Sequence, residues 1–227
     1  LIDISDVHLY VQDGFQVFNH QKDMLKFAKW RYDNSLKSGF ILADEMGMGK
    51  SMEVMLWAMY MKEKYNSKHC LIIACVNSAK YNWREDIIKH TNGQEVPYIL
   101  GTRPKRDGSL NLSTGSKEKL EDLTTMKMYG GRTDEDLPYF LILNIEAIRM
   151  RTGKKYPIAD RLIELINENE FGIIALDEIH RNTSATSLQG KQLLRIKKTQ
   201  KGQVQWIPMT GTPIVSKPTD VFLPLRL

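Results

Sequence analysis

Residues 39–51 decide the fold of this chain, and they read GFILADEMGMGKS. The first five residues form a continuous apolar run, which is typical of a strand that is buried on both faces. The residues after Ser51 place apolar side chains on one face of a helix, at Met52, Met55, Leu56, Met59 and Tyr60. A strand that passes through a glycine-rich loop into a helix is the setting of a phosphate-binding loop.

The loop between this strand and this helix has the chemistry that a phosphate group requires. Gly47 and Gly49 allow the backbone to turn its N–H groups inward without interference from a Cβ atom. Those donors and the positive end of the following helix attract phosphate. We expect Lys50 to reach the β- and γ-phosphates and the Ser51 hydroxyl to ligate Mg²⁺. The predicted nucleotide-binding residues of the loop are Asp44, Glu45, Met46, Gly47, Met48, Gly49, Lys50 and Ser51.

Similar apolar runs recur along the chain, and amphipathic stretches separate them. This alternation is typical of an α/β fold with a central, mostly parallel sheet and helices on both faces. The predicted strands cover 39–43, 70–75, 139–144, 172–177 and 204–209, with a weaker one at 96–100. Further helices are predicted at 79–90 and around 158–166.

The composition indicates one globular domain that occupies the whole chain, residues 1–227. Hydrophobic residues make up 42% of the chain and charged residues 26%, which excludes disordered, collagenous and coiled-coil classes. No apolar run approaches the roughly 18 residues of a membrane span, so we expect no membrane contact. The net charge of +5 favours a polyanionic partner.

The spacing of the two cysteines indicates the kind of cellular compartment. Cys70 and Cys75 lie five residues apart on one predicted strand, where they are too far apart to form a disulfide. Their spacing does not match a zinc site either, so we expect a reducing, intracellular compartment.

One stretch breaks the alternation of strands and helices. Between Gly101 and Asp136 the sequence is polar and rich in Gly, Ser, Thr, Lys and Asp. Loops of this length are uncommon within compact domains unless they are functional or disordered. We predict a surface insertion at about 101–136.

A pair of acidic residues at the carboxyl end of the predicted strand 172–177 is the second pattern that indicates chemistry. This strand delivers Asp177 and Glu178 to its carboxyl end, and His180 follows two residues later. In open α/β sheets, ligands bind at that edge. Adjacent carboxylates can divide the work of hydrolysis, so we expect Asp177 to hold Mg²⁺ and Glu178 to activate a water molecule.

Basic residues cluster near the end of another predicted strand. The cluster consists of Arg149, Arg151, Lys154 and Lys155. Such clusters are most often solvated surface, but they can also bind the phosphates of a nucleic acid.

In sequence order, these motifs resemble those of superfamily-two helicases, and specifically of the Swi/Snf-like ATPases. Residues 44–51 (DEMGMGKS) resemble motif I, residues 177–181 (DEIHR) motif II, and residues 210–213 (TGTP) motif III. His20 and Gln21 resemble the Q motif, residues 72–87 motif Ia and residues 141–149 motif Ib. The resemblance covers almost the whole chain, and its most specific part is motif I with motif III.

The resemblance implies a RecA-like P-loop domain that binds ATP and Mg²⁺. It gives catalytic roles to Lys50, Asp177 and Glu178, and it places Ser51 with Asp177 at the metal. Gln21 would read adenine. The resemblance also implies that His180, Thr210 and Thr212 couple the nucleotide site to the nucleic acid. It implies nucleic-acid contacts at Asn77, Ser78, Asn144 and Arg181.

The resemblance also implies partners and a reaction. The chain would be the first lobe of a DNA-dependent ATPase that translocates on double-stranded DNA and remodels protein–DNA or DNA structures. It would work inside the cell wherever DNA is, in a nucleus, nucleoid or cytoplasm. The second RecA-like lobe, with motifs V and VI and the arginine finger, would lie outside this chain, which begins at Leu1 rather than Met. By itself, the fragment is expected to be nearly inactive.

Two alternatives remain open from the residues. One is a strand-separating helicase acting on DNA or RNA, which would share motifs I and II. The other is a non-enzymatic lobe that binds nucleotide or docks a partner without turnover. The intact Lys50, Asp177 and Glu178 argue against the second alternative.

Overall fold

The computed structural model describes residues 16–34, 39–107, 109–111, 115–128, 138–182, 184–214 and 218–227. The helices are α1 (Asn19–Asn34), α2 (Lys50–Tyr65), α3 (Ala79–His90), α4 (Ser116–Met128), α5 (Pro157–Asn167), α6 (Leu188–Thr199) and α7 (Phe222–Arg226). The strands are β1 (His69–Ala74), β2 (Tyr98–Ile99), β3 (Arg103–Pro104), β4 (Leu110–Asn111), β5 (Phe140–Asn144), β6 (Phe171–Asp177) and β7 (Gln205–Pro208). None of the helices in these ranges is both long and apolar enough to cross a membrane.

Five strands form one sheet in the order β2-β5-β1-β6-β7, and every neighbouring pair is parallel. The predicted strands at 70–75, 139–144, 172–177 and 204–209 are therefore confirmed as β1, β5, β6 and β7. The weaker prediction at 96–100 shortens to β2. Since the strands are parallel, their carboxyl ends share one edge of the sheet, and the residues that follow each strand collect there.

The predicted strand at 39–43 is reduced to a segment that runs beside β7. It makes two isolated parallel bridges, between Gly39 and Trp206 and between Leu42 and Met209. Pro208 has no N–H to donate, and this interrupts the ladder at its centre. Three backbone hydrogen bonds remain, from Phe40 N to Trp206 O, from Leu42 N to Pro208 O and from Thr210 N to Leu42 O.

The core lies in two layers, one on each face of the sheet. Alternate residues of β1 divide between them, because successive side chains of a strand point to opposite faces. Ile72 packs with α1, α2 and α3, whereas Leu71 and Ile73 pack with α4, α5, α6 and α7. Residues 52–61 of α2 are all buried, since α1 packs against the same helix. The methionines of this helix are therefore core residues.

The surface insertion at about 101–136 stays a prediction, and the described residues of this stretch contain regular secondary structure. They form the antiparallel hairpin β3–β4 and the 13-residue helix α4. Leu123 of α4 is fully buried against α5, and its carbonyl oxygen accepts a hydrogen bond from Nε of Arg161 at 3.0 Å. Lys, Glu, Leu and Met favour a helix, and a few buried apolar side chains suffice to dock it. Residues 129–136 lie outside the described part of the chain.

Candidate active site

The phosphate-binding loop connects the segment 39–42 to α2 at the carboxyl edge of the sheet. Gly47 and Gly49 adopt left-handed conformations, with φ of +85° and +89°. Glycine is favoured at such φ values because a residue with a Cβ atom would clash with its own backbone there. Nζ of Lys50 lies inside the loop and donates hydrogen bonds to the carbonyl oxygens of Asp44 at 2.8 Å and Glu45 at 3.0 Å. The loop thus has the predicted geometry, with its lysine at the amino end of a helix.

The start of α1 touches this loop. Gln21 is buried, and a Cβ atom placed at Gly49 would lie only 2.9 Å from its Nε2 atom. Its Oε1 atom accepts a hydrogen bond from the backbone N–H of Phe18 at 3.0 Å. Nε2 of His20 lies 3.1 Å from the carbonyl oxygen of Met48. The structure therefore brings the predicted adenine-reading glutamine to the loop, and the reading of adenine itself stays a prediction.

The two carboxylates of motif II leave the end of β6 in different environments. Asp177 is the last residue of the strand, and its Oδ2 atom accepts a hydrogen bond from Nε1 of Trp83 at 2.9 Å. Burial raises the pKa of Asp177 above its usual value, while the Trp83 hydrogen bond opposes that rise. Glu178 adopts a left-handed conformation with φ of +52°. This turn separates the directions of the two adjacent side chains.

His180 links motif II to motif III. Its Nδ1 atom lies 2.9 Å from Oε2 of Glu178 and 3.0 Å from Oγ1 of Thr210. The Oγ1 atom of Thr210 also accepts a hydrogen bond from the backbone N–H of Thr212 at 3.0 Å. The three predicted coupling residues are therefore connected, although the side chain of Thr212 is exposed and only its backbone takes part.

Motif III also packs against the phosphate-binding loop. A Cβ atom placed at Gly211 would lie 2.8 Å from Cγ of Met46 and 3.4 Å from Nζ of Lys50. The absence of a side chain at Gly211 therefore allows motifs I and III to approach each other. Motifs I, II, III and the Q motif meet at one edge of the sheet.

A cavity of about 370 Å³ opens between motif I, motif II and α3. Its lining includes Gly49, Lys50, Ser51, Asp177 and Glu178. Hydroxyl and carboxylate oxygens are the ligands that Mg²⁺ prefers, and Mg²⁺ commonly takes one or two protein oxygens while retaining water and phosphate ligands. The pair formed by Ser51 and Asp177 fits that requirement.

One wall of the cavity was not predicted from the sequence, which indicated a helix at 79–90 without a part in the site. This wall is formed by Ala79, Asn82, Trp83, Asp86, Ile87 and His90. The polar residues 82, 86 and 90 recur every four positions, so a helix places them on one face. That spacing was visible in the sequence, but which face of the helix would meet the loop was not.

The four predicted nucleic-acid contacts all lie at the carboxyl edge of the sheet. Asn77 and Ser78 are exposed in the turn between β1 and α3, and Arg181 is exposed after β6. Asn144 ends β5, and its Nδ2 atom donates a hydrogen bond to Glu146 at 2.9 Å. Their contact with a nucleic acid stays a prediction.

Comparison with known proteins gives the family. The profile of the SNF2-related domain matches residues 20–226, so the chain belongs to the SNF2-related domain family. The DNA annealing helicase and endonuclease ZRANB3 of Mus musculus is 26% identical over 206 residues, 91% of this chain and 15% of that protein. The DNA repair protein rhp54 of Schizosaccharomyces pombe is 23% identical over 82% of this chain and 19% of its own length. The chain thus spans less than a fifth of these relatives.

A solved structure confirms the fold. The SWI2/SNF2 ATPase core of Sulfolobus solfataricus in complex with dsDNA matches with a TM-score of 0.59 and 20% identity. The match covers 92% of this chain and 35% of that chain. The predicted α/β, RecA-like fold is therefore confirmed.

Proposed function

We propose that this domain is the ATP-binding lobe of a motor that hydrolyses Mg-ATP and moves along double-stranded DNA. One observation carries the proposal. Lys50 and Ser51 of the phosphate-binding loop line the same cavity as Asp177 and Glu178. These are the residue types that phosphoryl transfer to water needs, namely a phosphate cradle, oxygen ligands for a cation and a carboxylate that orients the attacking water.

The loop would bind the triphosphate through charges and dipoles that are already oriented. The ammonium group of Lys50 is held by two carbonyl oxygens on the inner side of the loop, so it can exchange them for phosphate oxygens with little movement. The amino end of α2 adds N–H donors and a positive dipole. Ser51 and Asp177 would hold Mg²⁺, which when bound offsets the negative charge that develops on the phosphate oxygens.

Glu178 would orient and deprotonate the attacking water. Its carboxylate lies 2.9 Å from Nδ1 of His180, and His180 in turn lies 3.0 Å from Oγ1 of Thr210. A general base needs a fixed orientation as well as a suitable pKa. The chain of contacts from Glu178 to motif III supplies that orientation.

The completed reaction would require a second RecA-like lobe. Among the described residues that line the cavity, Lys50 is the only lysine or arginine. An arginine finger across the cleft can contribute about 10³–10⁵ in rate to phosphoryl transfer. We therefore infer that the finger arginine comes from another lobe of the same motor.

Duplex DNA as the partner is supported by the names of the relatives, which describe DNA helicase and DNA repair proteins, and by the related ATPase core solved with dsDNA. The predicted contact residues share the edge of the sheet that holds the nucleotide site. A protein with this activity works inside the cell where DNA is present.

The test is the steady-state ATPase rate of the full-length protein with duplex DNA, single-stranded DNA, RNA and no nucleic acid. We expect the rate to rise most with duplex DNA, and we expect ATP-dependent displacement of a third strand from a triplex. Efficient separation of a plain forked duplex would favour the strand-separating helicase instead. If none of these nucleic acids changes the rate, the proposed DNA motor is wrong.

A further inference from the structure

Trp83 makes a contact that packing alone does not require. Its ring is 3% exposed and belongs to the core layer formed with α1 and α2, yet its indole Nε1 atom donates a hydrogen bond to Oδ2 of Asp177 at 2.9 Å. The ring also lines the nucleotide cavity. A core tryptophan thus donates a hydrogen bond to the carboxylate that is proposed to hold the cation.

The backbone places the two residues together. Residues Ala74 and Asp177 are partners in the pairing of β1 with β6, and the N–H of Cys75 donates to the carbonyl oxygen of Asp177 at 3.2 Å. Helix α3 begins at Ala79, only a few residues after β1. Trp83 is therefore held on a short connection that is itself tied to the backbone of Asp177.

The chemistry of an indole suits this position. It donates one hydrogen bond and carries no charge, whereas a lysine or arginine in its place would compete with a cation for the carboxylate. A carboxylate can accept several bonds, so a donor on Oδ2 leaves acceptor sites for a metal ion. A partly buried carboxylate such as that of Asp177 would be less well oriented and more costly to keep charged without a donor.

We infer that Trp83 is a positioning residue, whose indole N–H orients the Asp177 carboxylate for Mg²⁺. The inference rests on the proposed function, since it assumes that Asp177 is a ligand of the nucleotide-bound Mg²⁺. Groups that orient metal ligands through hydrogen bonds typically contribute about 10–100-fold to metal affinity. Trp83 acts through Asp177 and does not touch the reacting atoms.

The experiment removes the donor and keeps the ring. ADP binding by Trp83→Phe is measured by calorimetry at a series of Mg²⁺ concentrations and in EDTA. We expect the apparent Mg²⁺ affinity to fall about 10–100-fold while ADP affinity in EDTA is unchanged. Trp57→Phe is the matched control, because Trp57 is also buried and its Nε1 atom donates to Oε1 of Gln205, away from the cavity.

A double-mutant cycle separates this inference from the proposed function. Asp177→Asn alone should weaken Mg²⁺ binding, and adding Trp83→Phe to it should have no further effect. If Trp83→Phe keeps the wild-type Mg²⁺ affinity while Asp177→Asn loses it, the positioning role is wrong and the metal site stands. If Asp177→Asn leaves Mg²⁺ affinity unchanged, the metal site itself is wrong.

A spectroscopic measurement keeps the inference testable if Trp83→Phe fails to fold. The indole N–H resonance of Trp83 is assigned by elimination with single Phe variants of the other tryptophans. We expect that resonance to move when Asp177 is replaced by Asn and when Mg²⁺ is added to the ADP-bound protein. A resonance that responds to neither change would overturn the inference.

Discussion

Glu178 combines a strained backbone with the proposed role of activating water. Its φ of +52° is a conformation that costs a residue with a Cβ atom on the order of 1–3 kcal/mol, and such strain tends to persist where function requires it. We expect Glu178→Gln in the full-length protein to retain Mg-ATP binding, because the substitution preserves shape. Its hydrolysis rate should fall by at least about 10²-fold, since an amide cannot accept the proton of water.

The control for this prediction is Glu85→Gln. Glu85 is exposed on α3, so its substitution makes the same chemical change away from the cavity lining. Nucleotide binding is measured by calorimetry and turnover by phosphate release. Turnover of Glu178→Gln within a factor of about two of the wild type would show that another group activates the water.

Glu53 gives the protein a predicted pH dependence. This residue in the first turn of α2 is fully buried, and its burial, together with the negative charge of Asp44, raises its pKa from 4.5 to about 8. Between these two values the folded protein keeps a proton that the unfolded chain has lost. The free energy of unfolding therefore decreases as pH rises through this window, by up to about 1.4 kcal/mol per pH unit from this group.

The substitution Glu53→Gln tests that dependence, because an amide stays neutral at every pH. We expect the variant to lose this part of the pH slope and to be more stable than the wild type near pH 8. Urea unfolding at intervals between pH 5 and pH 8 measures both quantities, with Glu85→Gln as an exposed control. If Glu53→Gln keeps the full wild-type slope, Glu53 titrates normally in the folded protein.

At the scale of elements, the exposed basic turn after β5 is a testable nucleic-acid contact. It contains Arg149, Arg151, Lys154 and Lys155, and within the described residues none of the four forms an ion pair. Replacing Arg151, Lys154 and Lys155 by alanine should weaken DNA binding uniformly across sequences. The salt dependence of binding should become shallower by about one for each phosphate that these side chains no longer neutralise.

The control for the basic turn changes the same number of charges elsewhere. Lys62, Lys64 and Lys68 lie at the end of α2 and before β1, at the opposite edge of the sheet. Their triple alanine variant should leave the salt dependence of DNA binding unchanged, as measured by fluorescence anisotropy with a labelled duplex. Equal effects of the two variants would mean that net charge, rather than this turn, attracts DNA.

The elements show where sequence reasoning succeeds and where it stops. Continuous apolar runs predicted β1, β5, β6 and β7, because strands that are buried on both faces need apolar side chains at every position. The strand before the loop was overestimated, since its pairing depends on Pro208 in a distant strand. Helix α4 was missed, because the few apolar side chains that dock it lie within a polar sequence and their burial is decided by α5.

In the site, too, local sequence patterns were predictable and contacts between distant residues were not. The phosphate-binding loop and the pair Asp177–Glu178 were predictable, because each is a local pattern with a fixed chemical meaning. The hydrogen bond from Trp83 to Asp177 was not predictable, because it joins residues 94 positions apart and depends on how α3 packs. Contacts between elements are set by the assembled fold.

At the scale of the molecule, we expect this 227-residue chain alone to bind nucleotide and to hydrolyse it slowly. Its cavity has a phosphate cradle and the acidic pair, and Lys50 is the only lysine or arginine among the described residues that line it. Adding a second RecA-like lobe should raise turnover with saturating duplex DNA by about 10³–10⁵-fold. Calorimetry and steady-state ATPase assays on the chain alone and on the chain joined to a second RecA-like lobe measure the two properties.

Two results of the same assays would contradict this prediction. If the isolated chain turned over as fast as the chain with the second lobe, an arginine within these residues would complete the site. Failure of the chain to bind ADP would mean that the second lobe also builds the nucleotide pocket. The chain with Lys50→Ala, which lacks the ammonium group that is proposed to bind phosphate, gives the baseline for both assays.

The attachment of the phosphate-binding loop has a consequence for synthesis of the protein on the ribosome. The backbone–backbone hydrogen bonds of the segment 39–42 are made with Trp206, Pro208 and Thr210, near the other end of the chain. Residues 39–51 leave the ribosome about 170 residues earlier than these partners, which at roughly 5–20 residues per second is a delay of about 10–35 seconds. During that interval the nascent chain carries the complete loop sequence without the strand that anchors it. We therefore expect nucleotide to contribute little to folding of the early chain, and we expect the binding site to mature only when translation of the domain is almost finished.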